Sequence, residues 1–105
     1  MNQSKRPIEQ YHLNWRGISI IVVYTPDFHA TPTDTYHHCH LEVMSERPRV
    51  PLPITETGYR SVFLPGGAVE HAGGPERYAT LWLDHAAQSK TWKATERDLR
   101  QGSLF

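Results

Sequence analysis

The sequence has a single cysteine, no net charge and no long apolar run. Cys39 has no second cysteine with which to form a disulfide bridge or a paired zinc motif, so we expect a cytoplasmic protein. The longest apolar run, residues 18–24, is far shorter than the roughly 20 residues that span a bilayer. The first residues are polar, and we therefore expect neither a signal peptide nor a membrane segment.

The charge balance argues against a dedicated duplex-binding protein. Eleven Lys and Arg residues match eleven Asp and Glu residues, whereas such proteins usually carry a basic domain. The basic residues are concentrated near the two ends of the chain, which leaves room for a local basic face.

The length and composition predict one folded domain. A chain of 105 residues is long enough for one hydrophobic core, and 38% hydrophobic residues exclude wholesale disorder. We predict a single domain over residues 1–100 and a mobile tail over residues 101–105.

Patterns of apolar residues predict a sheet. The β-branched run at residues 18–23, within the segment 13–24, predicts a first and central strand, and residues 25–35 predict a long surface loop. Alternation from Tyr36 to Ser45 predicts a second strand with a core face made of Cys39, Leu41 and Val43. Residues 59–64 predict another strand, and the proline-rich residues 49–54 predict an edge or polyproline-like segment.

One main helix is predicted near the end of the chain. Pro75 suits the first helical position, and apolar residues at helical spacing extend the helix to about Gln88. Whether it continues through Trp92 to Arg100 is left open. The fold class is therefore α+β, with an antiparallel sheet of three to four strands and one main C-terminal helix packed on one face. We expect a monomer or weak dimer, with the proline-rich segment protecting one sheet edge.

The tail resembles the peptide by which bacterial polymerases and repair factors dock on the sliding clamp. The usual form is Gln-Leu-Ser/Asp-Leu-Phe, and this chain has Gln101, Gly102, Ser103, Leu104 and Phe105. The resemblance implies that Gln101 hydrogen-bonds the clamp, while Leu104 and Phe105 enter an apolar pocket. Only Gly102 departs from the pattern, and losing the leucine expected there makes binding ten- to a hundredfold weaker, about 1.5–3 kcal/mol. The alternative is that Leu104 and Phe105 fold back onto the core.

The remainder of the chain is similar to short uncharacterised proteins from bacterial chromosomes and plasmids. The similarity lies in the segments Trp15–Ile18, Pro53–Ser61, Gly73–Pro75 and Trp82–Asp84. It implies no activity.

Histidines near Cys39 raise the hypothesis of a metal site. On a strand, His38 and His40 project from the same face about 6.5–7 Å apart, which lets two imidazoles share zinc or another divalent ion. His29 or Glu42 would supply a third ligand. The alternative is that these histidines are polar residues on a solvent-facing strand. Cys39 points to the opposite face, which argues against a cysteine nucleophile.

Two further groups suit anions. Arg60 with Ser61 would bind a phosphate or carboxylate, although the alternative, a surface arginine on a strand, is the more common case. If the helix continues past residue 90, one face carries a basic stripe that could track a nucleic-acid backbone or merely be solvated, made of Lys90, Lys93, Arg97 and Arg100.

Three functions follow from these observations. We favour a small accessory or interaction protein of bacterial DNA metabolism that docks on the sliding clamp through the tail, without a cofactor and with at most weak nucleic-acid contact. The second is a small metal- or anion-dependent enzyme that uses the histidines and Arg60. The third is a protein of mobile DNA that competes for the clamp. Convergence of His29, His38, His40 and Arg60 in one cleft would favour catalysis.

Overall fold

A computed structural model describes residues 6–28 and 38–101 of the protein. In these residues four strands form one antiparallel sheet in the order β1-β2-β3-β4, followed by three helices. The strands are β1 (Glu9–Trp15), β2 (Ile18–Phe28), β3 (His38–Ser45) and β4 (Tyr59–Pro65). The helices are α1 (Ala68–His71), α2 (Pro75–Ala86) and α3 (Lys90–Arg100). The predicted α+β fold is confirmed.

The segment predicted as a single first strand contains a hairpin. The chain reverses at Arg16 and Gly17, whose φ angles are 50° and 86°, so that Trp15 pairs with Ile18. A two-residue turn of type I′ requires positive φ at both positions, which arginine seldom adopts, so the turn signal in the sequence was weak. The strand at residues 18–23 is confirmed as an inner strand, but it is the second strand and not the first, because β1 precedes it at the sheet edge.

Alternation along β3 is confirmed. Cys39, Leu41 and Val43 are fully buried, and Ile20 and Val22 of β2 share their face of the sheet. We call this side the covered face, because the helices pack on it, and the opposite side the open face. The β2 strand continues to Phe28, so the predicted loop from residue 25 begins too early. Residues 29–37 lie outside the described residues.

The C-terminal region forms two helices rather than one. The helix α2 begins at Pro75, as predicted, and ends at Ala86. Ser89 then starts α3 by accepting a hydrogen bond from the backbone N–H of Trp92 at 3.1 Å. Trp92 is buried and carries α3 onto the core.

The proline-rich segment forms no edge strand. Its one pairing is an isolated bridge between Leu52 and Thr55, and both Leu52 and Ile54 are buried in the core. The sheet edges are β1 and β4. The segment is therefore not an edge strand, and whether it protects a sheet edge stays a prediction.

None of the helices in the part of the chain that the structure describes has the length and apolar character needed to cross a membrane.

Candidate functional site

A cavity of about 500 Å³ lies where the β1–β2 turn, the segment after β3 and the C-terminal half of α3 meet. Its volume is within the range typical of small-molecule sites. Ile18, Val50, Trp92 and Leu99 give it an apolar wall. Its charged lining consists of Arg16, Arg47, Arg100, Glu46 and Glu96, and we call it the arginine cavity.

Trp92, which lines this cavity, packs against Trp15. The ring centroids of Trp15 and Trp92 are 5.8 Å apart, and Trp15 Nε1 donates a hydrogen bond to Asp84 Oδ1 at 2.8 Å. Trp92 is only 4% exposed, and its Nε1–H has no hydrogen-bond partner among the described residues. A buried donor of this kind is costly unless an acceptor reaches it. Trp92 therefore contributes a buried aromatic ring to the lining of the cavity.

Glu96 positions two arginines beside the cavity. Its Oε2 atom lies 3.5 Å from Arg16 Nη1 and 3.6 Å from Arg100 Nη2, and its side chain is 18% exposed. The Arg16 guanidinium also lies 4.7 Å from the centroid of the Trp15 ring, and its Nη2 lies 4.0 Å from Asp84 Oδ1. Partial burial reduces the screening of these pairs by solvent. Both guanidiniums therefore pair with the same carboxylate.

Arg47 completes the basic lining. It is exposed and has no ion-pair partner in residues 6–28 and 38–101, whereas Glu46 lies 3.6 Å from His12 Nδ1. The lining thus carries three guanidiniums against two carboxylates. Guanidinium groups bind carboxylates and phosphates through paired hydrogen bonds, so the arrangement suits an anionic ligand.

Few features of the sequence indicated this cavity. Its residues come from three separate segments, and only the tertiary fold brings them together. The one signal was the segment Trp15–Ile18, which carried the resemblance to short bacterial proteins and supplies Arg16 and Ile18 to the lining.

The basic stripe lies on one face of α3, as the spacing of its residues predicted. Lys90, Lys93, Arg97 and Arg100 are all exposed, and at 100° per residue they occupy an arc of about 80°. Arg100 belongs both to this stripe and to the arginine cavity. Contact of the stripe with nucleic acid remains a prediction.

The two candidate metal ligands of β3 lie on the open face of the sheet. The His40 ring centroid is 4.5 Å from that of Phe63 and 5.7 Å from that of Phe28. No group of three or more His, Cys, Asp or Glu side chains suited to a metal occurs among the described residues, and His29 lies outside them. The metal site with His38, His40 and His29 stays a prediction. Glu42, the other candidate ligand, accepts a hydrogen bond from the Tyr59 hydroxyl at 2.6 Å.

Cys39 lies on the opposite, covered face. It is fully buried, and burial raises the pKa of its thiol. A raised pKa disfavours the thiolate that nucleophilic catalysis needs. The geometry therefore agrees with the sequence argument against a cysteine nucleophile.

Arg60 and Ser61 project from opposite faces of β4. Arg60 pairs with Val43 on the covered side, and Ser61 pairs with Glu42 on the open side. The Arg60 guanidinium donates to the Ile54 carbonyl at 3.0 Å and lies 5.7 Å from the Trp82 ring centroid. Arg60 thus contacts both the proline-rich segment and α2. It lies on the opposite side of the sheet from Ser61 and from the histidines of β3.

Of the residues predicted to bind the clamp, only Gln101 is among the described residues. Gln101 is exposed and ends the helix, with its backbone N–H bonded to the Arg97 carbonyl. Ser103, Leu104 and Phe105 lie outside the described residues. Clamp binding by the tail stays a prediction.

A family comparison addresses the body of the protein. The family model described as KlcB third domain matches residues 8–92. The chain belongs to the KlcB third-domain family. The KlcB match runs from β1 to the first turn of α3 and includes Arg16, Arg47 and Trp92 of the arginine cavity. The rest of α3 and the tail lie beyond it.

The KlcB description specifies a domain and no reaction. No match was found among curated proteins, and none among solved structures.

Proposed function

We propose that this protein of the KlcB third-domain family is a small accessory protein of bacterial DNA metabolism that docks on the sliding clamp through residues 101–105. The observation that carries the proposal is the match of this segment to the clamp-binding peptide at every position except Gly102. The exposure of Gln101 at the end of α3 supports it, because the first residue of the motif is accessible to a partner.

Each matching side chain has a role in this proposal. The Gln101 amide can both donate and accept hydrogen bonds at the clamp surface. Leu104 and Phe105 supply the apolar area that a docking pocket buries, and such anchors provide most of the binding energy of short peptides. Ser103 occupies the position where the family peptide has Ser or Asp.

The positions of the other candidate residues favour a binding protein over an enzyme. His38 and His40 lie on the open face, whereas Arg60 lies on the covered side and is engaged with Ile54 and Trp82. These groups do not form a common cleft in which a substrate could meet both.

The first experiment measures binding of purified bacterial sliding clamp to the intact protein by surface plasmon resonance. We expect a dissociation constant of roughly micromolar or weaker. Changing Leu104 and Phe105 together to Ala is expected to abolish binding without changing the melting temperature. A lowered melting temperature would show that these side chains belong to the core, and an intact protein that does not bind would contradict the proposal.

A gain in affinity is a sharper test. Gly102→Leu restores the leucine that the clamp peptide usually has, and we expect it to strengthen binding about ten- to a hundredfold. Gly102→Ala is the matched control, because it adds a side chain without the apolar reach of leucine. If both substitutions leave the affinity unchanged, the tail does not bind the clamp as this peptide does.

A further inference from the structure

We propose that the arginine cavity binds a nucleotide, with its phosphate on the guanidinium groups and its base against the apolar wall. This site is separate from the tail and goes beyond the proposed clamp docking. It rests on the composition of the cavity, the pairing of its arginines and its continuity with the basic stripe.

The composition of the cavity matches the two halves of a nucleotide. Val50 and Leu99 form an apolar wall backed by the buried ring of Trp92, and the apolar part of a nucleotide can pack against such a wall. Arg16, Arg47 and Arg100 line the same cavity, and guanidinium groups are suited to phosphate oxygens. A volume of about 500 Å³ leaves room for both halves.

Glu96 pairs with two of the three arginines. Its carboxylate lies 3.5 Å from Arg16 Nη1 and 3.6 Å from Arg100 Nη2, and because these side chains are 42% and 75% exposed, the pairs orient them without immobilising them. Arg47 has no ion-pair partner among the described residues, and its full charge is therefore available to a phosphate. We infer that Arg47 contributes most to phosphate affinity.

Continuity with the basic stripe favours a nucleotide that belongs to a single strand. Lys90 and Arg100 are separated by roughly 15 Å along α3 at 1.5 Å per residue, which is long enough to meet several phosphates. Arg100 lies at the point where the stripe reaches the cavity. A strand that follows the stripe would place one of its nucleotides in the cavity.

The test uses the intact protein with two probes, a short fluorescein-labelled oligothymidine followed by anisotropy and free dTMP followed by tryptophan fluorescence. Arg47→Glu is expected to weaken oligothymidine binding by about tenfold or more. Arg77→Glu is the matched control: it makes the same change of charge at an exposed position on α2 that does not line the cavity. We expect it to change the affinity less than about twofold. Arg47→Lys keeps the charge and should retain most of the binding.

Further comparisons distinguish a nucleotide that belongs to a strand from a free nucleotide. If the ligand is a strand, Lys93→Glu weakens oligothymidine binding and leaves dTMP binding unchanged. If dTMP binds as tightly as oligothymidine and depends equally on Arg47, the cavity binds free nucleotides. The variant with Leu104 and Phe105 changed to Ala should bind both probes normally, so a failure of clamp docking does not affect this test.

Three results would overturn the proposal. The first is that neither probe binds. The second is that folded Arg47→Glu binds both probes as tightly as the parent protein. The third is that Arg77→Glu weakens binding as much as Arg47→Glu, which would indicate general attraction by charge. If Arg47→Glu lowers the melting temperature, Arg47→Ala gives the same comparison without a new negative charge.

Discussion

Gly58 and Gly17 have similar positive φ angles, 83° and 86°, in different surroundings. A Cβ atom on Gly58 would lie 2.7 Å from the Val50 carbonyl oxygen and 2.8 Å from Ser45 Oγ, and Gly58 itself is buried. A Cβ atom on Gly17 would meet nothing within 4 Å. The backbone at Gly58 is therefore packed against the end of β3 and the segment that follows it, whereas Gly17 lies in an open turn.

We predict that Gly58→Ala destabilises the protein by about 2–5 kcal/mol. The strain of a left-handed backbone accounts for about 1–2 kcal/mol, and displacement of Ser45 and Val50 for about 1–3 kcal/mol. Gly17→Ala is the control and should cost about 1–2 kcal/mol, since it has the strain alone. Urea unfolding measures both, and equal losses would show that Gly58 is not sterically confined.

Tyr24 is a buried titratable residue beside a charged cluster. Burial raises its pKa to about 12, and the nearby Cys39 thiol and Glu70 carboxylate add to the shift. The Tyr24 hydroxyl donates to Glu70 Oε2 at 3.2 Å, and Glu70 also pairs with Arg6. Tyr24 is therefore held in its neutral form in the folded protein.

This shift predicts a loss of stability at alkaline pH. The pKa of Tyr24 in the folded protein exceeds the ordinary value of 10.0. The contribution of Tyr24 to the free energy of unfolding is therefore complete below about pH 10 and is lost as the pH rises to about 12. Urea unfolding across this window should show a falling free energy of unfolding, with a smaller fall in Tyr24→Phe. Tyr78→Phe, which removes a hydroxyl on α2, is the control, and an identical slope in all three proteins would contradict the assignment.

At the scale of the elements, the boundary between α2 and α3 is set by local chemistry. The α2 helix ends at Ala86, and the Ser89 side chain begins α3 by accepting from the Trp92 N–H. Three residues beyond this cap, Trp92 packs against Trp15, and the basic stripe faces solvent. The cap stabilises the first turn of α3, which contributes Trp92 to the lining of the arginine cavity.

Replacing Ser89 with Ala is predicted to cost about 1 kcal/mol of stability, because one N–H of the first turn loses its acceptor. Ser89→Asp retains a side-chain acceptor and should remain within about 0.5 kcal/mol of the parent. Thermal and urea unfolding test both variants. A loss of equal size in both would mean that the cap does not stabilise α3.

At the scale of the whole molecule, the two proposed binding regions adjoin at the end of α3. Arg100 lines the arginine cavity, and Gln101, the next residue, begins the clamp motif. A protein with this arrangement could hold a strand while the tail is bound to the clamp. The open face carries a separate cluster of Phe28, His40 and Phe63, for which the proposals require no role.

The sequence by itself determined the fold class, the burial of β3 and the start of α2. These features follow from local rules: alternation put Cys39, Leu41 and Val43 on one face, and within a helix Pro75 suits only the first turn. The tail motif and the helical spacing of the basic stripe are likewise local patterns.

Only the tertiary structure decided the hairpin, the cavity and the separation of Arg60 from Ser61 and the histidines. The turn at Arg16 depends on a backbone conformation that arginine adopts when pairing of β1 with β2 compensates for it. The cavity joins Arg16, Arg47 and Arg100, which are far apart along the chain, and Arg60 takes its position from contacts with Ile54 and Trp82. Such contacts leave no periodic signal in a sequence, because packing between distant segments alone brings their residues together.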